Sequence, residues 1–269
     1  MLCFAPRTMV RTTKWAMILL AGCCLPGCVR PGPPPPQAVV PGPLARQVVA
    51  ERVSAVLVAE RESIQEWSGQ RFAKLDANAD VDGGSAAPIT ADGYFLTADH
   101  VLARVGRGWN AFVIYGVGSQ LQTAKARVVW RSGSSDLALL HAPLATPLFY
   151  RWTPPQRWLA EGTWVIHGGI ATGQNSPPGR LSTTLRPERW LTGARRFKLD
   201  FPLKPGDSGG PVVDAHGGLI GVNSAVEFLV PMETAFFVDS EGNRPNLRKL
   251  NDLIQRDRAR NSRRKPDVE

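Results

Sequence analysis

Three short strings in this chain carry the residue types of nucleophilic catalysis. The run Gly206-Asp207-Ser208-Gly209-Gly210-Pro211 sets a serine among glycines, between strand-like stretches at 197–203 and 212–222. A serine hydroxyl is a weak nucleophile until a base takes its proton and donors await the oxyanion. Flanking glycines let a tight turn aim backbone N–H groups at one point. Upstream, Thr97-Ala98-Asp99-His100 closes an apolar run at 94–96 and supplies an imidazole, which titrates near neutrality and suits proton transfer. Ser135-Asp136-Leu137-Ala138-Leu139-Leu140 opens another apolar run with a carboxylate. In that order His100 would be the base, Asp136 would hold the other ring N–H and stabilise the imidazolium, and Ser208 would attack.

The elements that must position these groups read as strands. Short apolar or alternating runs recur at 53–59, 111–115, 128–130, 137–140, 163–167, 197–201, 218–222 and 234–238, divided by Gly, Pro and Asp clusters. Many short strands with such punctuation predict an all-β sandwich or barrel. A short helix is expected over 47–52, with the folded region starting near Arg46. Asn246 can cap a final helix over 247–256, whose Leu247, Leu250, Leu253 and Ile254 share one face. The arginines after Ile254 read as a solvated basic tail over 256–269. His141, His167 and His216 have no second ligand at metal spacing, so each reads as structural or solvated. Neither a metal nor a cofactor is expected.

On these three strings the chain resembles chymotrypsin-like serine proteases, within them the bacterial trypsin-like group that includes the HtrA/Deg proteases. The matching blocks are residues 91–101, 135–140 and 203–212, and they frame about 48–255. The resemblance implies a chymotrypsin-like double β-barrel with a short C-terminal helix, His100 and Asp136 on the first barrel and Ser208 on the second. It implies an oxyanion hole from the N–H groups of Gly206 and Ser208. By the same likeness Ser224, Ala225 and Val226 pair with substrate backbone and Pro202 lies near the base of the primary pocket. With Val226 narrowing the entrance and no acid at Pro202, small or medium apolar residues are expected before the cut bond. Digestive relatives are activated when a freed amino terminus pairs with the acid before the catalytic serine, here Asp207. No Ile-Val-Gly-Gly-like string precedes the first barrel, so Lys204, Arg195, Arg196 or backbone N–H groups are the expected partners. The chain as given ends before the peptide-binding PDZ domain of many HtrA relatives, so a relative without one is expected. The implied function is a serine endopeptidase acting on exposed polypeptide. The other class is a catalytically silent binding or chaperone-like protein on the same fold, which the intact triad disfavours.

The amino terminus points to export. Arg7, Arg11 and Lys14 precede an apolar stretch at 15–21 that ends in small residues, the pattern of a signal peptide over 1–22. The stretch is far below the roughly 20 residues of a spanning helix. Leu20-Ala21-Gly22-Cys23 resembles a bacterial lipobox, which implies cleavage before Cys23, lipidation of its thiol and a membrane partner; Leu25-Pro26-Gly27-Cys28 is a weaker second match. All four cysteines lie in the first 28 residues, so 46–255, the expected protease domain, has no disulfide. Between them, 23–45 is a proline-rich linker, which favours an extended spacer. Removing 1–22 lowers the net charge from +9 to +6. A basic exported protein can approach anionic lipid, while nucleic acid is not an expected partner. The expected location is the bacterial cell envelope, on a periplasmic or extracellular face.

Overall fold

The computed structural model of the protein describes residues 38–52, 54–60, 81–106, 108–117, 120–173, 176–188, 193–228 and 237–263. The expected signal peptide, Cys23 and most of the expected proline-rich linker lie outside the described residues. No helix among the described residues is long and apolar enough to cross a membrane.

Six antiparallel strands form a closed barrel: β1 (Ser54–Glu60), β2 (Asp82–Pro88), β3 (Tyr94–Thr97), β4 (Trp109–Val117), β5 (Gln120–Ser132) and β6 (Leu137–His141). Their order around the ring is β1-β2-β3-β6-β5-β4, and β1 against β4 closes it. A second sheet follows, with β7 (Trp164–His167), β8 (Gly179–Arg180), β9 (Arg195–Lys198), β10 (Pro211–Asp214), β11 (Leu219–Phe228) and β12 (Phe237–Arg244) in the order β8-β7-β10-β11-β12-β9. Its two edges meet through a Leu181–Leu199 bridge and the Ser182 N–H donating to the Lys198 carbonyl at 2.9 Å, which curls the sheet into a second barrel. This is the double β-barrel with a C-terminal helix that the resemblance implied.

Burial on both faces explains the continuous apolar runs. Successive side chains of a strand point to opposite faces. In β6, Ala138 and Leu140 therefore fill the first barrel, while Leu137 and Leu139 join the core between barrels and helices. In β10, Val212 fills the second barrel and Val213 faces the shared core. The chemistry-bearing residues sit where these runs end, held by strands buried on both sides.

The first helix, α1 (Pro43–Glu51), starts three residues before the expected folded boundary at Arg46. Proline's fixed φ suits a first helical turn, and Ala45 and Val49, four apart, are buried against the core. The last helix, α2 (Leu247–Ser262), is capped by Asn246, whose side chain accepts the Lys249 N–H at 3.0 Å. It runs six residues past the expected end, which corrects the reading of a frayed tail from 256. Asp257 pairs with Arg127 through two bonds of 2.6 Å and accepts from the Tyr94 hydroxyl at 2.8 Å. Arg258 pairs with Asp92, so that arginine docks on the first barrel, while Arg256, Arg260 and Arg263 stay exposed along the helix and at its C-cap as a solvated basic face.

Candidate active site

His100 follows β3 in a 3-10 turn, His100–Leu102. Val101 and Leu102 are buried at the end of the barrel core, which leaves the imidazole 46% exposed on the cleft side. Arg131 of β5 fixes that turn from below. Its guanidinium donates to the Asp99 carboxylate at 2.6 Å and to the Leu102 carbonyl at 3.0 Å.

Asp136 lies at the start of β6 after a 3-10 turn and has φ +44, in the left-handed region. Aspartate is one of the few residues that visits it, at a cost of order 1 kcal/mol or more. The turn brings the carboxylate under His100, with Nδ1 at 2.9 and 3.0 Å from its two oxygens and the His100 backbone N–H donating at 2.9 Å. The Ser224 hydroxyl donates to the other oxygen. Burial alone would raise the Asp136 pKa, but these donors outweigh it and hold the carboxyl at about 2. The hydrogen bond to Asp136 in turn raises the His100 pKa, against the effect of burial. With the proton on Nδ1, the ring keeps Nε2 free as a base.

Ser208 sits on a turn built by its neighbours. The Asp207 N–H donates to the Lys204 carbonyl and the Gly210 N–H to the Asp207 carbonyl, both at 2.9 Å, while the Gly209 N–H donates to the Asn223 carbonyl of β11 at 2.8 Å. Gly206 and Gly209 have φ +98 and +83, where L side chains are strained, and a Cβ at 209 would lie 2.2 Å from the Ser85 carbonyl oxygen. Among the described residues, the N–H groups of Gly206 and Ser208 donate to no acceptor. Backbone donors left unpaired beside a nucleophile are the requirement of an oxyanion hole.

The structure brings His100, Asp136, Gly206, Ser208 and Ser224 to one cleft of about 710 Å³, lined also by Asp82, Gly133 and Arg196. No direct Ser208–His100 hydrogen bond is present among the described residues; such bonds are often long before substrate binds. Ser224 faces Asp136 with its side chain, a contact that the sequence reading, concerned with its backbone, missed. Ala225 and Val226 continue β11 opposite Ser240 and Asp239. Pro202 is exposed and does not line the cleft. Asp207 is fully buried, and its partners are the Thr172 N–H at 2.9 Å, the Thr172 hydroxyl and the Lys204 N–H at 3.1 Å. Of the expected partners, Lys204 thus contributes its backbone, and Arg196 pairs with Glu241 at 3.2 Å instead.

The other histidines have local roles. Buried His167 stacks on Phe201 at 4.6 Å between centroids, and burial pushes its pKa down, against the charge of Asp207. His141 packs on Tyr94 at the same separation, and His216 sits exposed in the β10–β11 turn. Among the described residues no three metal-ligating side chains converge.

Two barrels with a serine, a carboxylate-held imidazole and free backbone donors in one cleft define the peptidase class of this architecture. The sequence matches the trypsin-like peptidase domain over residues 84–222, and the chain belongs to that family. A probable periplasmic serine endoprotease, DegP-like, of Pseudomonas fluorescens is 29% identical over 170 residues, covering 59% of this chain and 34% of the relative. Its namesake from Bartonella henselae is 28% identical over 145 residues, covering 53% and 28%. The match thus spans about a third of these relatives' own length. In three dimensions the chain is similar to the HtrA-type protease AlgW with a tripeptide, with a TM-score of 0.52 and 23% identity over 77% of this chain and 60% of that one.

Proposed function

We propose that the chain is a serine endopeptidase that cuts exposed polypeptide through an acyl-enzyme. The observation that carries this reading is the pair of N–H groups, Gly206 and Ser208, without an acceptor among the described residues, beside a serine that shares its cleft with an Asp136-held imidazole. His100 Nε2 takes the proton as Ser208 Oγ bonds to the scissile carbonyl carbon. The oxyanion forms against the two N–H groups, and Asp136 stabilises the imidazolium. His100 then protonates the leaving amine, and water, activated by the same imidazole, hydrolyses the ester.

Relatives named as periplasmic endoproteases support an envelope location. The charged, apolar and small-residue sequence of 1–22 supports export, and Leu20-Ala21-Gly22-Cys23 supports a lipid anchor on Cys23 with the proline-rich 23–45 as tether. Fluorophosphonate labelling of the purified protein tests the chemistry without knowledge of the substrate. Labelling and casein cleavage are expected of the parent and lost by about 10⁴–10⁶ in Ser208→Ala and His100→Ala. A folded Ser208→Ala variant that cuts casein at the parent's rate refutes the assignment, and a folded parent that does neither leaves the binding-protein reading.

A further inference from the structure

We propose that Ser85 is a positioning residue of the oxyanion hole: its hydroxyl holds the Gly206 carbonyl toward the first barrel and so keeps the Gly206 N–H on the cleft side. The proposal rests on the serine-peptidase reading of the same cleft.

Ser85 lies on β2, is 1% exposed, and grips the nucleophile turn on both sides of Asp207. Its backbone N–H donates to the Ser208 carbonyl at 2.8 Å, and its Oγ donates to the Gly206 carbonyl at 2.7 Å. The Ile170 N–H donates to the same Oγ at 2.9 Å, which occupies a lone pair and directs the hydroxyl proton to Gly206. The Ser85 carbonyl accepts from the Thr97 hydroxyl at 2.7 Å, so its place is set by β3 as well as by the barrel.

Gly206 needs such a grip. At φ +98 a glycine is comfortable, but the same lack of a Cβ leaves it free to rotate into other wells. The preceding residue, Pro205, has no N–H with which to anchor the turn from that side. A hydroxyl delivered from another barrel, 121 residues away in sequence, removes this freedom at the carbonyl side of Gly206, a residue that lines the cleft and whose N–H has no acceptor among the described residues. Ile170 borders Gly206 too: a Cβ there would meet its side chain at 3.2 Å. Ser85 Oγ therefore ties the backbone at Ile170 and the nucleophile turn to the first barrel at one atom.

The test compares the parent with Ser85→Ala and Ser85→Thr on a peptide that the parent cleaves. Each is also titrated with a peptide aldehyde, whose tetrahedral adduct places an oxygen in the hole. Binding of the uncleaved peptide is measured in a Ser208→Ala background. Complete loss of one oxyanion donor costs about 10²–10³ in rate. A donor loosened instead of removed costs less, so Ser85→Ala is expected to lower kcat about tenfold or more with KM and peptide binding unchanged. Aldehyde affinity should fall by the same factor, and Ser85→Thr, which keeps the hydroxyl, should recover most of both. Turnover by Ser85→Ala within twofold of the parent overturns the proposal, as does an equal loss of aldehyde and peptide binding. Should Ser85→Ala not fold, Ser85→Cys, with its weak thiol donor, carries the same comparison. An inactive, unlabelled parent would instead refute the peptidase reading itself.

Discussion

Removing the Thr172 hydroxyl should loosen the nucleophile turn without touching any group that meets substrate. Asp207 precedes Ser208, is fully buried, and among the described residues has no lysine or arginine paired with it. Its charge is balanced by the Thr172 N–H, the Thr172 hydroxyl and the Lys204 N–H. A hydrogen bond to a charged group contributes about 1.5–3 kcal/mol. Two backbone donors survive in Thr172→Ala, so the lower part of that range applies, about 1.5–2 kcal/mol. For a domain of this size each kcal/mol moves Tm by about 2–4 °C, so a fall of roughly 3–8 °C is expected in thermal unfolding. If the loss falls on local order of the turn, the ratio of ordered to open turn drops about ten- to thirtyfold, and fluorophosphonate labelling slows with it. Thr172→Ser keeps the hydroxyl and should restore both. The buried partners of Asp207 lie within the chain itself, so protein that keeps all of α1, beginning just before Pro43, with an extra amino-terminal tag should be competent. An unchanged Tm and labelling rate in Thr172→Ala, or activity that appears only when the tag is cut away, refutes it.

Three further outcomes follow from the site and the proposed anchor. Only neutral His100 accepts a proton, and Asp136 raises its pKa, so kcat/KM should rise with pH through a value above the ordinary 6.5 of imidazole. Asp136→Asn should move that limb to lower pH and cut kcat by about 10⁴, as in other triad enzymes; an unmoved limb means another group titrates. Cys23→Ser should block lipidation, and mass spectrometry of the mature amino terminus checks it: a parent with an unmodified Cys23, or starting elsewhere, rejects the anchor. Peptide-library cleavage should favour small or medium apolar residues before the cut bond, as the resemblance implies for Val226 and Pro202, and a profile dominated by Arg or Lys rejects that expectation.

The strings around His100, Asp136 and Ser208 were legible because the chemistry demands particular residue types within a few positions of each other. The run at 137–140 was legible because β6 is buried on both faces. The supports of the site left no such local mark. Arg131 holds the His100 turn from 32 residues away, Thr172 holds Asp207 from 35, and Arg258 finds Asp92 across 166. An arginine-rich helix end and a solvated tail look alike until that distant carboxylate is in place. The same holds for β2, whose Asp82-Gly83-Gly84-Ser85-Ala86-Ala87-Pro88 has almost no strand propensity. Its residues are small because the barrels approach closely there: a Cβ on Gly84 would lie 2.6 Å from the Val101 side chain and 3.0 Å from the Ser208 carbonyl oxygen. The close approach that erases the strand signal also brings the Ser85 hydroxyl within reach of Gly206. Weak propensity between two well-formed strands is therefore a signal in its own right, marking where one barrel must come close enough to grip the nucleophile turn of the other.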